Sequence, residues 1–473
     1  MKINPELAVL DDTQFISAKM ERTPVTDPIG DLGELARQAL EANVTYVWVM
    51  PGSQISQRIE RSFITGAGSE WDAFASYSRI DENRPMFARI WRKKTSGRAG
   101  RTIYVGFPEY GTWPWKCPDA IALLATVSYI DHALGLPVVW SPGYMALDLM
   151  KALNVEKRAS WLSRLTVDLM ALPTEDGMTV PLKKSARDLT WKRALTPREK
   201  KMKWVHKYDK NSMYLAACTG ILLGEGDPEQ VSGDAYDDRL PGFWRVKADR
   251  AESLYDGVKL PSPVRTEWMT TPVVICCRKL GYQVEVIEGY QWRAPGSYHR
   301  TLESWATTLW AVRQRLKVSS PTFDQEYKHA QGRENAYATI SAIAHVGVGK
   351  LGDPDTSGGL FRPDIWALVV GRSFANMFYN IETFRKAGFT PALVYTDALW
   401  YISNDPNPET ALPAIVDKQD KLGGYKVVYN PPLAMSKDVI DAFAKIESPT
   451  KLVRRLNELA GEDDALLGDT DEP

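Results

Sequence analysis

The chain has 473 residues, 44% of them hydrophobic and 25% charged, with 58 Lys and Arg against 59 Asp and Glu and a formal net charge of −1. That length and apolar content suffice for a large core in about two or three domains, and the balanced charge excludes a globally basic nucleic-acid-binding protein, so any such surface must be local. The four cysteines, Cys117, Cys218, Cys276 and Cys277, lack C-x-x-C spacing and neighbouring His pairs, which argues against a zinc site or a disulfide framework and fits a reducing cytosol.

At the N-terminus, MKINPELAVLDDTQ has no basic-then-apolar signal pattern, and apolar runs such as IWALVVG are far too short to span a bilayer. A soluble cytoplasmic chain without a membrane partner is expected. Residues 1–180 alternate strand-like runs (VTYVWVM, RTIYVGF, LPVVW) with helical patterns (DAIALLATVSYIDHALG, GYMALDLMKALN), the pattern of an α/β domain built around a sheet. SPGYMALDLM reads as a turn that starts a helix, and TSGRAGR as a hairpin or loop tip. From 181 to 207 the composition shifts: PLKKSARDLTWKRALTPREKKMKWVHK holds ten Lys and Arg against two acids. It reads either as a solvated linker or as a local phosphate-binding strip with Trp191 and Trp204 interleaved, in which Lys183, Lys184, Lys192 and Arg193 would meet DNA.

GFWRVKA, PVVICCRKLGYQVEVIEGYQW and TLESWATTLWAVRQRLK then give strand, helix, strand pair and helix. A helical pattern from 324, DQEYKHAQGRENAYATISAIAHVG, runs into the Gly-rich loop VGKLGDPDTSGG. The helix PDIWALVVGRSFANMFYNIETFRKAG leads to an apolar hairpin, TPALVYTDALWYIS. The final GEDDALLGDTDEP is acidic, lacks core-forming periodicity and reads as a disordered tail.

Two acids stand out. Alternation in MKWVHKYD puts Asp209 on the strand face shared by Val205 and Lys207, where the chain turns into NSMYLAAC. Asn211 and Ser212 suit a helix cap, so Asp209 either only caps that helix or holds a metal ion whose phosphate the helix-starting N–H groups receive. Asp397 sits in LVYTDALWYI, where an apolar strand gives no reason for a carboxylate unless a turn falls there. It is a solvated hairpin tip or, crowded by Trp400 and Tyr401, a partly desolvated acid in need of a cation. Two such carboxylates could hold a pair of Mg²⁺ ions roughly 3.5–4 Å apart for in-line phosphoryl transfer.

In the order of its parts the chain resembles family B DNA polymerases, most closely the compact, protein-primed-like branch of bacteriophages and linear plasmids. The first palm motif of that family reads D-x-x-S-L-Y, and Asp209, Ser212, Met213 and Tyr214 stand in its places. After it come the GFWRV strand, Trp268 leading a helix into YQVEVIEGYQW, then LESWATTLW, a fingers-like helix and the helix and hairpin carrying Asp397. DKLGGYKVVY is similar to the branch's L-G-x-aromatic-K segment, and the likeness covers roughly residues 200–430. The resemblance implies a degenerate exonuclease-like (RNase H-like) α/β domain over 1–180, a basic linker or strip over 181–207, and an α+β palm over 208–300 and 351–430. Fingers would occupy 301–350, and a short thumb with the acidic tail 431–473. It further implies that Asp209 and Asp397 are catalytic and bind Mg²⁺ or Mn²⁺. Ser212 would meet the nucleoside triphosphate, Tyr214 would lie under its sugar and favour deoxynucleotides, and Lys426 would contact DNA. Template and primer DNA, dNTP and a priming or replication protein are the implied partners.

The chain also departs from the family. Aligned on Tyr395, the third motif Y-G-D-T-D-S places Leu399 at its second acid. Setting Thr396-Asp397-Ala398 on T-D-S keeps the metal ligand and rearranges the turn, and this register is preferred because a buried hairpin Asp needs a partner. The family's fingers Lys, Asn and Tyr-Gly have no counterpart at the right spacing; Lys328, Arg333, Asn335 and Tyr337 are present, and Lys328 or Arg333 could supply the cation that grips a triphosphate. No convincing D-x-E motif occurs in the N-terminal domain, where Glu109, Asp119, Asp131 and Asp148 look like surface or cap positions, so proofreading is not expected. The leading expectation is a template-directed DNA polymerase of a small replicon or mobile element. Two alternatives stand beside it: an inactive polymerase-like DNA-binding or replication-partner protein, and a primase-like or protein-primed nucleotidyltransferase, for which GKLGDPDTSGGLF is a short candidate insertion.

Overall fold

Strand-like runs of the N-terminal third pair into one seven-stranded sheet in the computed structural model, which describes residues 4, 6–58, 60–65, 68, 70–77, 84–93, 101–110, 113, 115–138, 141–153, 189–248, 254–255, 258–259, 267–353, 360–412 and 421–462. The sheet order is Arg22–Pro24, Gln14–Ser17, Leu7–Leu10, Tyr46–Val49, Thr102–Gly106, Pro85–Arg92, Trp71–Tyr77. Leu7–Leu10, Tyr46–Val49 and Thr102–Gly106 run parallel, and the remaining pairs are antiparallel. A central parallel strand is covered on both faces, which is why LAVL is apolar and buried at every position. On one face Asp31 caps the helix Leu32–Glu41 by accepting the Glu34 N–H at 2.9 Å, and Leu32, Leu35 and Ala39 enter the core with Leu10, Val47 and Val105.

This sheet belongs to a compact unit of Met1–Val155, Thr307–Lys350 and Asp355–Gly359; Glu156–Ala306, Leu351–Pro354 and Leu360–Pro473 form a second. The first unit is completed from far along the chain. The helix Ala330–Leu351 lies so close to the helix Ala120–Leu134 that a Cβ on Gly332 would stand 2.6 Å from the Ala125 Cβ. The Asn335 carboxamide is buried there, accepting the Lys116 N–H at 3.1 Å and donating to the Lys116 carbonyl at 2.9 Å and Thr126 Oγ1 at 3.0 Å. Three readings of this half change. Leu136–Val138 form no strand, because Gly135, at φ 67°, closes the preceding helix and the buried Val138 packs without a ladder partner. The helix expected from 324 starts at Ala330, since Asp324 instead closes a turn by accepting the Glu326 N–H at 2.9 Å. It also runs on to Leu351, absorbing the start of the expected Gly-rich loop, whose residues 354–359 lie outside the described residues, as do Val139, Trp140 and residues 94–100 of the expected loop tip.

The second unit contains a six-stranded antiparallel sheet in the order Tyr425–Val427, Trp204–Lys210, Ala398–Ser403, Leu393–Tyr395, Thr190–Lys192, with Leu433–Ala434 also paired to Trp204–Lys210. From residue 190 the basic stretch therefore supplies two strands of this sheet; Trp191 pairs with Val394 and Lys207 with Trp400. Pleating sends Tyr208, Leu399 and Tyr401 to a core shared with the helices Thr271–Lys279 and Pro363–Lys386. Val205, Ala398 and Trp400 face the opposite core, closed by the helices Lys437–Lys445 and Pro449–Ala460. The expected strand pair at 282–292 is one strand, Val284–Gln291, flanked by Glu229–Ser232 and Gly242–Ala248. The acidic tail starts later than read: Gly461, at φ 71°, caps the last helix and Glu462 pairs with Lys207 at 3.2 Å, while the residues beyond lie outside the described ones. Among the described residues no helix is long and apolar enough to cross a membrane.

Candidate active site

Asp209 stands in the strand Trp204–Lys210 with Ala398 opposite on one side and Lys426 on the other. Asp397 occupies the two-residue turn between Leu393–Tyr395 and Ala398–Ser403. Because Ala398 is both the cross-strand partner of Asp209 and the neighbour of Asp397, the register of the sheet brings the two carboxyl groups into hydrogen-bonding contact. Burial and the adjoining Asp209 carboxylate push the Asp397 carboxyl well above the usual carboxylate range, with the Thr396 hydroxyl, 3.0 Å from its Oδ1, pulling the other way. Tyr425, on the opposite sheet face, also feels both acids: burial raises its phenol, a hydrogen bond from Asn380 opposes that, and the two carboxylates raise it further.

The backbone turns left-handed three residues after Asp209 and one residue before Asp397. Ser212 and Thr396 each have φ 51°, a conformation that costs a non-glycine residue about 1–2 kcal/mol and is least suited to a β-branched one. Thr396 is held there by its N–H to the Leu189 carbonyl at 2.9 Å and by a hydroxyl 2.8 Å from the Tyr395 carbonyl. Ahead of Ser212, Asn211 is clipped to the loop before Tyr425: its N–H donates to the Gly424 carbonyl at 2.7 Å and its carbonyl accepts from Gly423 at 2.8 Å. Ser212 caps the six-residue helix Met213–Cys218 without a side-chain bond to it, and Tyr214 is partly buried against the core shared by Tyr208 and Leu399. Leu399 itself is fully buried on the face opposite Asp209, so an acid there would point away from it.

The nearest cation is Lys426, whose Nζ lies 2.6 Å from Asp209 Oδ2; the pairing of these two residues was not legible from the sequence, since only the register of a third strand creates it. Other expected DNA-contacting residues have structural partners. Lys192 donates to the Phe443 carbonyl at 3.4 Å and to the Ile446 carbonyl, closing the end of the helix Lys437–Lys445. Arg193 forks onto Glu199 at 2.6 and 2.7 Å and donates to the Thr390 and Pro391 carbonyls. Lys183 and Lys184 lie outside the described residues. Lys328 and Arg333 belong to the other unit, where Lys328 is exposed and Arg333 stands over the Phe323 ring at 5.5 Å and reaches the Tyr327 carbonyl at 3.4 Å. Asn335 is buried as described above, and the Tyr337 hydroxyl accepts from Arg313 at 3.0 Å.

In the first unit Glu109 accepts from the Gly52 N–H at 3.1 Å and from the Ser56 hydroxyl, and Asp119 caps a helix by accepting the Ala122 N–H at 2.8 Å. Asp131 and Asp148 are not surface acids but partly buried ones: burial pushes Asp131 up to about 6, against a bond from Asn4, and raises Asp148 as well. Among the described residues no group of three or more His, Cys, Asp and Glu comes together. Two carboxylates in contact nonetheless fit a hard divalent cation of the Mg²⁺ type, which takes one or two carboxylates and completes its shell with water and substrate phosphate. Burial and the adjoining Asp209 carboxylate both disfavour charge on Asp397, a strain that such an ion would relieve.

No family model matches the sequence, and no curated protein matches it. The fold, however, is similar to a solved one. The chain is similar to phi29 DNA polymerase complexed with primer-template DNA and incoming nucleotide substrates, with a TM-score of 0.50 and 13% identity over 87% of this chain and 81% of that one. Phi29 DNA polymerase complexed with single-stranded DNA gives a TM-score of 0.49 and 13% identity, covering 87% and 80%.

Proposed function

We propose that the protein is a template-directed DNA polymerase of a small replicon or mobile element, acting by two-metal nucleotidyl transfer, on primer-template DNA and dNTP, in the cytoplasm and without proofreading. The observation that carries this is the meeting of Asp209 and Asp397, from a strand and a turn nearly two hundred residues apart, in a chain with a polymerase-like fold. Asp209 and Asp397 would hold Mg²⁺ or Mn²⁺, which when bound acidifies the attacking hydroxyl and neutralises the triphosphate. Ser212 would receive the triphosphate at a backbone preset in the left-handed region, and Tyr214 would lie beneath the sugar. Lys426 would steer the DNA. The position of Leu399 favours the register in which Asp397 is the ligand. The strand order of the first unit supports an exonuclease-like, RNase H-like domain.

A second reading, an inactive polymerase-like protein that binds DNA or a replication partner, is favoured by the lysine already seated on Asp209. One experiment separates them: extension of a primed DNA template with Mg²⁺ or Mn²⁺, run beside Asp209→Asn and Asp397→Asn. The polymerase reading expects extension by the native chain and a loss of about 10²–10³-fold or more in each variant with DNA binding retained. Absence of extension by the native protein with either metal and any primer, including a protein hydroxyl, would leave the inactive reading standing.

A further inference from the structure

We propose that Lys426 is the resident counter-cation of the Asp209–Asp397 pair and competes with the divalent metal for the same carboxylate oxygen. The proposal rests on the metal role assigned to Asp209 above. Lys426 is not a stray surface lysine. It lies directly across from Asp209, between Tyr425, paired with Lys210, and Val427, paired with Tyr208, so the register of the strand delivers its side chain to Asp209. Tyr425 anchors that register, being buried with its hydroxyl 3.1 Å from Asn380 Nδ2. The ammonium stands 2.6 Å from Asp209 Oδ2, whose side chain is 20% exposed, whereas the lysine side chain is 50% exposed on a flexible four-carbon stem.

An ammonium and a divalent ion on one carboxylate oxygen would stand close enough to repel each other, so each weakens the other's hold there. Metal entry therefore displaces Lys426. The displaced ammonium moves to the exposed edge of the site, where its charge favours a phosphate-bearing ligand. Metal and phosphate ligand thereby help each other: the one frees the lysine that the other needs, and by linkage the effect is reciprocal. In the free protein the lysine keeps two touching carboxyl groups from standing unneutralised, and it keeps metal affinity low until substrate arrives.

The test is a titration of Mn²⁺ into the full chain without DNA or nucleotide, with the free ion followed by its electron paramagnetic resonance signal. Native protein, Lys426→Met, Lys426→Gln, Lys426→Arg and Asp209→Asn are compared, each checked for its near-ultraviolet circular dichroism. Because exposed pairs are weak, Lys426→Met and Lys426→Gln are expected to bind Mn²⁺ about two- to fivefold more tightly than the native chain, and Lys426→Arg to bind as the native chain does. In chelator the two neutral variants should melt lower than the native protein, and Mn²⁺ should restore them by more. Equal affinities in native, Met and Gln forms, with binding lost in Asp209→Asn, would overturn the lysine's role and leave the metal site intact. Equal affinities in all five proteins would remove the metal from Asp209 and with it the reading on which the lysine rests.

Discussion

Asp397 and Asp131 are both carboxyls that burial makes hard to ionise, but only one has another acid against it. Asp397 combines desolvation with the repulsion of Asp209, the arrangement that makes an acid useful only once a cation arrives. Asp131 sits alone on the helix Ala120–Leu134, raised to about 6 by burial with a single opposing bond from Asn4. Its folded-state value lies above its unfolded one, so the folded protein binds the proton more tightly. The stability that Asp131 contributes is thus fully present below about pH 4 and is lost as pH rises through about 6. Asp131→Asn is expected to match the native protein near pH 4 and to exceed it above pH 6 by about 1–3 kcal/mol. Urea unfolding across that interval measures it, and a difference that does not change with pH would show that the acid is not held protonated.

At the scale of elements, the site depends on one strand pairing as much as on the acids. Gly423 has φ +75°, and a Cβ there would lie 2.9 Å from the Ala216 Cβ, while its N–H holds the Asn211 carbonyl. Gly423→Ala is therefore expected to cost about 2 kcal/mol in urea unfolding, from left-handed strain plus the contact, and to loosen the backbone at Ser212. Unchanged stability would mean that the loop yields without disturbing its neighbours. The same elements show what the sequence could tell. The apolar hairpin around Asp397 and the alternation before Asp209 are local patterns of period two, and both were readable as strands that could carry acids. The pairing of Lys426 with Asp209 was not, because register between strands two hundred residues apart leaves no local trace. Charge alone did not show the structural work of the basic stretch: the sequence left Lys192 and Arg193 open between linker and DNA contact, and in the fold one closes a helix end and the other forks onto Glu199. Burial misled at Leu136–Val138, where an apolar run packs without pairing.

At the scale of the whole molecule, the compact units do not follow the order of the chain. The stretch 307–350, set apart by its helical period and read as fingers, belongs to the same compact unit as the N-terminal sheet. Asn335 is the reason this is more than proximity. Its carboxamide satisfies both backbone groups of Lys116 and the Thr126 hydroxyl, two hundred residues earlier, while Trp115 donates to Thr339 at 2.6 Å. Trp115 in turn stacks on Trp113 at 4.5 Å, and both touch Trp48 in the sheet, so the helix and the aromatic cluster share one set of constraints. Asn335→Ala would strand those buried polar groups and is expected to destabilise this unit by about 2–4 kcal/mol. The three tryptophans contribute to the signal: near-ultraviolet circular dichroism should be lost at lower urea in the variant. If residues 1–155 were instead a self-sufficient domain, the tryptophan transition would stay where it was in the native chain, and the loss would fall on the helix alone.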